Sequence, residues 1–135
     1  MKEAIRFENV TMRFKRPSQD PLTALQDLTL PIEAGQVFGL LGPNGSGKTT
    51  CVNLLCGLLR PTAGRVMVVG LDVDRHVSQV REVLGIVPQE TALYNDLTAV
   101  ENLRFHARLY KVPLADQAAR IEEVLALVGL TARRH

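Results

Sequence analysis

Eight residues, Gly42-Pro43-Asn44-Gly45-Ser46-Gly47-Lys48-Thr49, constrain this chain more than any others. They fit G-x-x-x-x-G-K-[ST], the pattern of a loop that holds a polyphosphate. The apolar run Gln36-Val37-Phe38-Gly39-Leu40-Leu41 before them reads as a buried strand. The run Thr49-Thr50-Cys51-Val52-Asn53-Leu54-Leu55-Cys56 after them reads as the start of a helix. A strand, a glycine-rich turn and a helix in that order commit the chain to an α/β fold.

The residue types suit the chemistry. Glycines at 42, 45 and 47 remove Cβ atoms, so that successive N–H groups can turn inward and form an anion-binding nest. The following helix directs the positive end of its dipole at the same point. Lys48 is placed to reach β- and γ-phosphates as a point charge, and the Thr49 hydroxyl is a ligand type suited to Mg²⁺. The competing reading is a glycine-rich turn that binds nothing; a matching string occurs by chance in some proteins, but rarely between such a strand and such a helix.

At 135 residues the chain is one domain or part of one, and 46% hydrophobic residues suffice for a core. A balance of 16 basic against 14 acidic residues argues against a nucleic-acid surface, and 4% aromatic residues against a base-stacking platform. The basic clusters Lys15-Arg16 and Arg133-Arg134-His135 read as solvated ends. Met1-Lys2-Glu3-Ala4-Ile5-Arg6 lacks the pattern of a secretory leader, and no apolar run has membrane-spanning length, so a cytosolic location is expected. Cys51 and Cys56, five apart on one expected helix, are too poorly aligned to bridge and read as free thiols.

Along the chain, residues 4–14 read as a strand through Ile5, Phe7 and Val10. Residues 15–21 read as a loop, and 23–32 as a second strand pairing antiparallel with the first. The helix after the phosphate loop is expected to reach Leu58 or Leu59. A strand follows at Arg65-Val66-Met67-Val68-Val69, a helix near 76–83, and a strand at Gly85-Ile86-Val87-Pro88-Gln89. Thr98 and Glu101 form a capping box that opens a helix. A further helix over 114–128 shows Ala118, Ile121, Leu125 and Val128 on one face and ends at Gly129.

With these segments placed, the chain resembles the nucleotide-binding domain of ATP-binding-cassette (ABC) transporters over essentially all its length. Leu40–Thr50 is similar to the family's Walker A segment, and Leu58-Leu59-Arg60-Pro61-Thr62-Ala63-Gly64 to its continuation. Gly85–Gln89 resembles the strand ending in the Q-loop glutamine, and Leu97-Thr98-Ala99-Val100-Glu101-Asn102-Leu103 the start of the helical subdomain. The later segment most resembles bacterial ATPase subunits that drive drug, polysaccharide or antibiotic export. The implied fold is a partial P-loop NTPase core with N-terminal antiparallel strands (1–89) and the beginning of an α-helical subdomain (90–135).

The resemblance implies roles for individual residues. Gly42, Pro43, Asn44, Gly45, Ser46, Gly47, Lys48, Thr49 and Thr50 would bind ATP, with Thr50 near the α-phosphate. Phe14 would stack on adenine where the family usually has a tyrosine; its alternative is a core phenylalanine at a strand end. Lys48 and Gln89 would serve catalysis, and Thr49 and Gln89 would approach Mg²⁺. The implied partners are a membrane-spanning permease subunit, with residues 90–110 near it, and a second ATP-binding domain in a head-to-tail dimer, at the inner face of the cell membrane. No nucleic acid is implied.

The family's signature motif, its apolar strand ending in Asp and the catalytic Glu, and its switch histidine do not occur in these residues. The chain therefore reads as the N-terminal part of a longer domain, able to bind nucleotide but short of the parts that complete hydrolysis. An apolar edge beside the phosphate-loop strand is expected to be open. A nucleotide-binding module without turnover and a non-transport ATPase of the same superfamily are the alternatives. Val66-Met67-Val68-Val69-Gly70-Leu71-Asp72 only superficially resembles the missing acidic strand, and Asp72 and Asp74 read as turn or cap residues. His76 and His106 lack partners at metal-ligand spacing and read as surface residues, and Glu90 as a solvated loop acid.

Overall fold

The computed structural model describes residues 3–89 and 93–133, and the chain forms two compact units, Met1–Gly85 and Ile86–His135. Glu90 and the Arg134-His135 end of the basic cluster lie outside the described residues.

The first unit is a four-stranded antiparallel sheet with two helices. Its strands are β1 (Glu3–Arg16), β2 (Gln19–Glu33), β3 (Ala63–Val68) and β4 (Leu71–Asp72), in the order β2-β1-β3-β4. The helices are α1 (Lys48–Leu55) and α2 (Val77–Val83). The antiparallel pairing of β1 with β2 is as expected, but the hairpin reaches into residues 15–21, where a loop was expected. Only Pro17 and Ser18 turn, with Ser18 at φ 58°. Pro21 and Pro31 do not prevent this because β2 is an edge strand, where a missing N–H breaks no central ladder.

Two bulges set the phase of the hairpin. The apolar positions Phe7 and Val10 are three apart, as are Leu25 and Leu28, so simple alternation fails in both strands. Asn9 (φ 47°) and Asp27 (φ 48°) absorb the extra residues. Their side chains are tied across the strands. Thr29 Oγ1 donates to Asn9 Oδ1 at 2.8 Å and accepts from Asn9 N at 3.1 Å. Thr11 Oγ1 accepts from Asp27 N at 3.1 Å and donates to Asp27 Oδ1 at 3.3 Å. With the phase restored, Phe7, Val10, Val66 and Val68 of the sheet meet Cys51 and Leu54 of α1, Val73, and Val80 of α2 in one core. Each large apolar side chain so buried contributes about 1.5–3 kcal/mol.

Helix α1 ends at Leu55, a turn earlier than the sequence suggests. Gly57 (φ 63°) reverses the chain; its N–H donates to Leu54 O at 3.1 Å and the N–H of Leu58 to Asn53 O at 2.9 Å, a Schellman closure. The two segments expected as strands, the buried 36–41 and 85–89, are not strands here, and Val37, Leu41 and Val87 are almost fully exposed. A parallel strand exists only through its neighbours' hydrogen bonds. The sheet of the described residues offers these segments no partner.

The second unit contains α3 (Ala99–Leu109), α4 (Leu114–Leu127) and a single 3-10 turn at Thr131–Arg133. The expected capping box is present: Thr98 Oγ1 accepts from Glu101 N at 3.3 Å and Glu101 Oε2 accepts from Thr98 N at 2.8 Å. Val100 packs with Ile121 and Leu125. The inner face of α4 is Gln117, Ile121 and Leu125, whereas Ala118 and Val128 are exposed, so the buried stripe is rotated from the expected one. Gln117 can occupy it because its Nε2 donates to Val112 O at 2.9 Å. Gly129 (φ 69°) ends α4, as expected. Among the described residues no helix is long and apolar enough to cross a membrane.

Candidate phosphate-binding site

The loop from Gly42 delivers the chain into α1 through Gly47, the N-cap, at φ 93°. This left-handed conformation excludes most side chains. The first helical hydrogen bond runs from Cys51 N to Gly47 O at 2.9 Å. The amides of Lys48, Thr49 and Thr50 therefore precede the helical ladder and project from its end. The first turn carries no acidic side chain and the N-cap supplies no side-chain acceptor, so nothing on α1 itself opposes an anion there.

Lys48 folds back along the loop. Its Nζ donates to the carbonyls of Gly42 and Pro43, each at 2.7 Å. These bonds draw the start of the loop toward α1 and set the ammonium beside the helix end. Ser46 N donates to Pro43 O at 3.3 Å inside the same turn. The cradle is narrow: a Cβ on Gly42 would come within 2.5 Å of Ser46 Oγ. Thr49 is exposed and Thr50 half-buried.

Sequence reading overlooked the seat of this loop. A Cβ on Gly47 would lie 2.7 Å from Leu25 Cδ2 and 2.9 Å from the carbonyl oxygen of Ala24. The pairing Met12↔Leu25 is followed by Arg13↔Thr23, so Ala24 is an extra residue that swells β2 at this point. Glycine at 47 lets the loop rest on that swelling. The irregular spacing of apolar residues in β2 was the only hint in the sequence.

Phe14 lies on the same side of β1 as Met12, with exposed Arg13 between them, and pairs with Leu22. It is thus one pleat, about 7 Å, beyond the Met12↔Leu25 pair that seats the loop. It is half-buried, unlike the core residue Phe7. Phe14 and residues 42–50 both belong to the first unit; Gln89 is exposed and belongs to the second.

Other candidates have structural explanations. Asp72 Oδ1 accepts from the N–H groups of Asp74 (3.0 Å) and Arg75 (3.3 Å), as a turn residue does. His76 is exposed; His106 is half-buried and lines a cleft of about 180 Å³ between α3 and α4, rather than lying on the open surface. No group of three His, Cys, Asp or Glu among the described residues could hold a metal ion. Cys51 and Cys56 are free and buried, and burial pushes both thiols above their ordinary pKa, with nearby Arg81 opposing the rise at Cys56.

A glycine-rich turn seated on a sheet, with a lysine and two threonines opening the next helix, defines a phosphate-loop nucleotide-binding fold. The chain belongs to the ABC transporter family, whose model matches residues 25–135. The linearmycin resistance ATP-binding protein LnrL of Bacillus subtilis (strain 168) is 40% identical over 111 residues, 82% of this chain and 36% of that protein. ABC transporter A family member 7 of Arabidopsis thaliana is 40% identical over 115 residues, 85% of this chain and 12% of that protein. The solved dimeric post-hydrolysis state of the ATP-binding cassette MJ0796, bound to ADP and Pi, matches with a TM-score of 0.78 at 27% identity, over 96% of this chain and 59% of that one. The chain thus spans less than two thirds of each of these relatives.

Proposed function

We propose that this chain provides the ATP-binding site of a transport ATPase, and that ATP binding and hydrolysis there drive export of a substrate across a membrane. The observation that carries this reading is the geometry at Gly47-Lys48: a left-handed glycine, amides that precede the helical ladder of α1, and a lysine ammonium folded back on the loop. Gly42 to Thr50 surround the phosphates, with Lys48 neutralising charge on the transferred group. Phe14 stacks on the adenine. Thr49 would hold Mg²⁺ through its hydroxyl, a hard oxygen donor that fits that ion. When bound, Mg²⁺ would supply charge neutralisation at the phosphates.

The partners in this reading are a membrane-spanning permease subunit and a second ATP-binding domain arranged head to tail, with the chain peripheral on the inner face of the membrane. The domain comprises the phosphate-loop core over 1–89 and the start of a helical subdomain over 90–135. Export is favoured over import in this reading because one similar protein is named for resistance to linearmycin, and removal of a compound is one route to resistance.

Calorimetric titration of the full-length protein with ATP tests the site. Lys48→Ala is expected to weaken binding at least about tenfold, or ~1.4 kcal/mol. Unchanged affinity in that variant would overturn the assignment. The alternative, a module that binds nucleotide without turnover, predicts the same loss of binding but no phosphate release from the unaltered protein.

A further inference from the structure

Helix α1 bears the amides of the proposed phosphate site, yet it has eight residues, too few to hold its direction without tertiary contacts. Its middle is fixed by Cys51 and Leu54 in the core, and its front end by Gly47 resting on Ala24 and Leu25. Its rear end is held by α2. The Schellman closure leaves the carbonyls of Cys56 and Gly57 outside the helical ladder. Arg81, in the last turn of α2, spans both: Nε donates to Cys56 O at 3.2 Å and Nη2 to Gly57 O at 3.3 Å. A Cβ on Gly57 would lie 2.4 Å from Val77 Cγ2 and 3.4 Å from Val73 Cγ1, so the backbone leaving α1 presses against the start of α2 at the same place.

We propose that Arg81 is a positioning residue for phosphate binding: its guanidinium locks the rear of α1 and so fixes where the amides of Lys48, Thr49 and Thr50 point. The planar fork of arginine matches two successive carbonyls, and its charge complements the negative end of α1. A lysine could supply the charge but not the fork. The helix is about 12 Å long, so a tilt of about 10° around its buried middle would move its front end by about 1 Å. A shift of that size spoils several hydrogen bonds to a polyphosphate at once. Arg81 need not touch the nucleotide to act in this way. The inference rests on the phosphate-loop assignment.

The test is a binding comparison on the full-length protein, unaltered and as Arg81→Met and Arg81→Lys, with ATP, ADP and adenosine as ligands, alongside thermal melting. Adenosine reports contacts to the base and sugar, whereas ATP adds those to the loop. Arg81→Met is expected to weaken ATP and ADP by about tenfold and adenosine by less than about twofold, and Arg81→Lys to recover only part of the loss. A merely structural role would weaken all three ligands by one factor, in step with the melting temperature, and that result overturns the proposal. So does an unchanged ATP affinity. Should Arg81→Met not fold, the ratio of ATP to adenosine affinity in Arg81→Lys decides: a reduced ratio supports the proposal and an unchanged one refutes it. Lys48→Ala, measured in parallel, separates the two levels of inference. If it leaves ATP binding intact, the phosphate-loop reading itself fails. If it removes binding while Arg81→Met changes nothing, the positioning role alone fails.

Discussion

Gly64→Ala should be among the most damaging single-methyl changes in the first unit, and a matched control isolates the reason. Gly64 lies in β3 at φ +80°, opposite the β1 bulge, where the register slips between Glu8↔Arg65 and Thr11↔Ala63. A Cβ there would stand 2.3 Å from Asn9 O, 2.4 Å from Glu8 O and 2.6 Å from Asn9 C. All three are backbone atoms of the paired strand, so no side-chain rotation relieves the overlap. The left-handed conformation alone costs a non-glycine residue about 1–2 kcal/mol. Moving the strands apart by the ångström needed to clear the contact disrupts two or so ladder hydrogen bonds, at about 1 kcal/mol each. The sum, about 3–4 kcal/mol, is a large part of the 5–15 kcal/mol that holds a typical domain together. Gly70 provides the control: its φ is +78°, nearly the same, but a Cβ there meets nothing within 4 Å. Gly70→Ala should therefore cost only the conformational part, about 1–2 kcal/mol. Urea denaturation of the full-length variants, followed by circular dichroism, gives both numbers from the midpoint shifts. Equal losses at the two positions would show that the close approach of β3 to the bulge does not govern stability and would refute the reasoning.

Three further outcomes follow from other elements. Asn102 is 6% exposed, and its side chain accepts from Tyr94 N (2.9 Å) and donates to the carbonyls of Tyr94 (3.0 Å), Leu97 (3.1 Å) and Thr98 (3.1 Å). Asn102→Ala should cost about 2–3 kcal/mol and raise amide exchange over 94–98; unchanged exchange there would count against this role. Val69 and Gly70, at φ 50° and 78°, join β3 to β4 in a turn that suits Asn-Gly, so Val69→Asn should raise the melting temperature by a few degrees, about 1 kcal/mol. The thiols of Cys51 and Cys56 have folded pKa values raised by burial, so their contribution to stability is full below the unfolded value of 9.0 and is lost as pH rises through the folded values. Denaturation midpoints should accordingly fall above pH 9.0, and less so in Cys51→Ala, compared against its own midpoint at pH 7.

Part of the candidate site's backbone geometry was legible in the sequence: a glycine-rich turn ahead of a helix stands where the spacing puts it. The spacing of glycines, lysine and threonines in 42–50 places the phosphate loop because its chemistry depends on backbone amides and short-range order. The capping box at Thr98 and the glycine stop at Gly129 are likewise local and appear where expected. Local patterns failed where a residue's role depends on something distant in sequence. Segments 36–41 and 85–89 have the composition of core strands, but composition cannot provide ladder partners. Helix α3 ends with Lys111 in the left-handed conformation (φ 55°), where no glycine announces the stop.

The sequence by itself determined that a glycine-rich loop with the pattern of a polyphosphate site lies between an apolar segment and a helix, because that pattern is written in consecutive residues. Only the tertiary structure decided how the loop is aimed. The bulged strand beneath Gly47 and the Arg81 fork behind α1 come from residues 22 or more positions away from their partners. Their contacts are made by chain folding rather than by neighbouring side chains, so no local pattern encodes them.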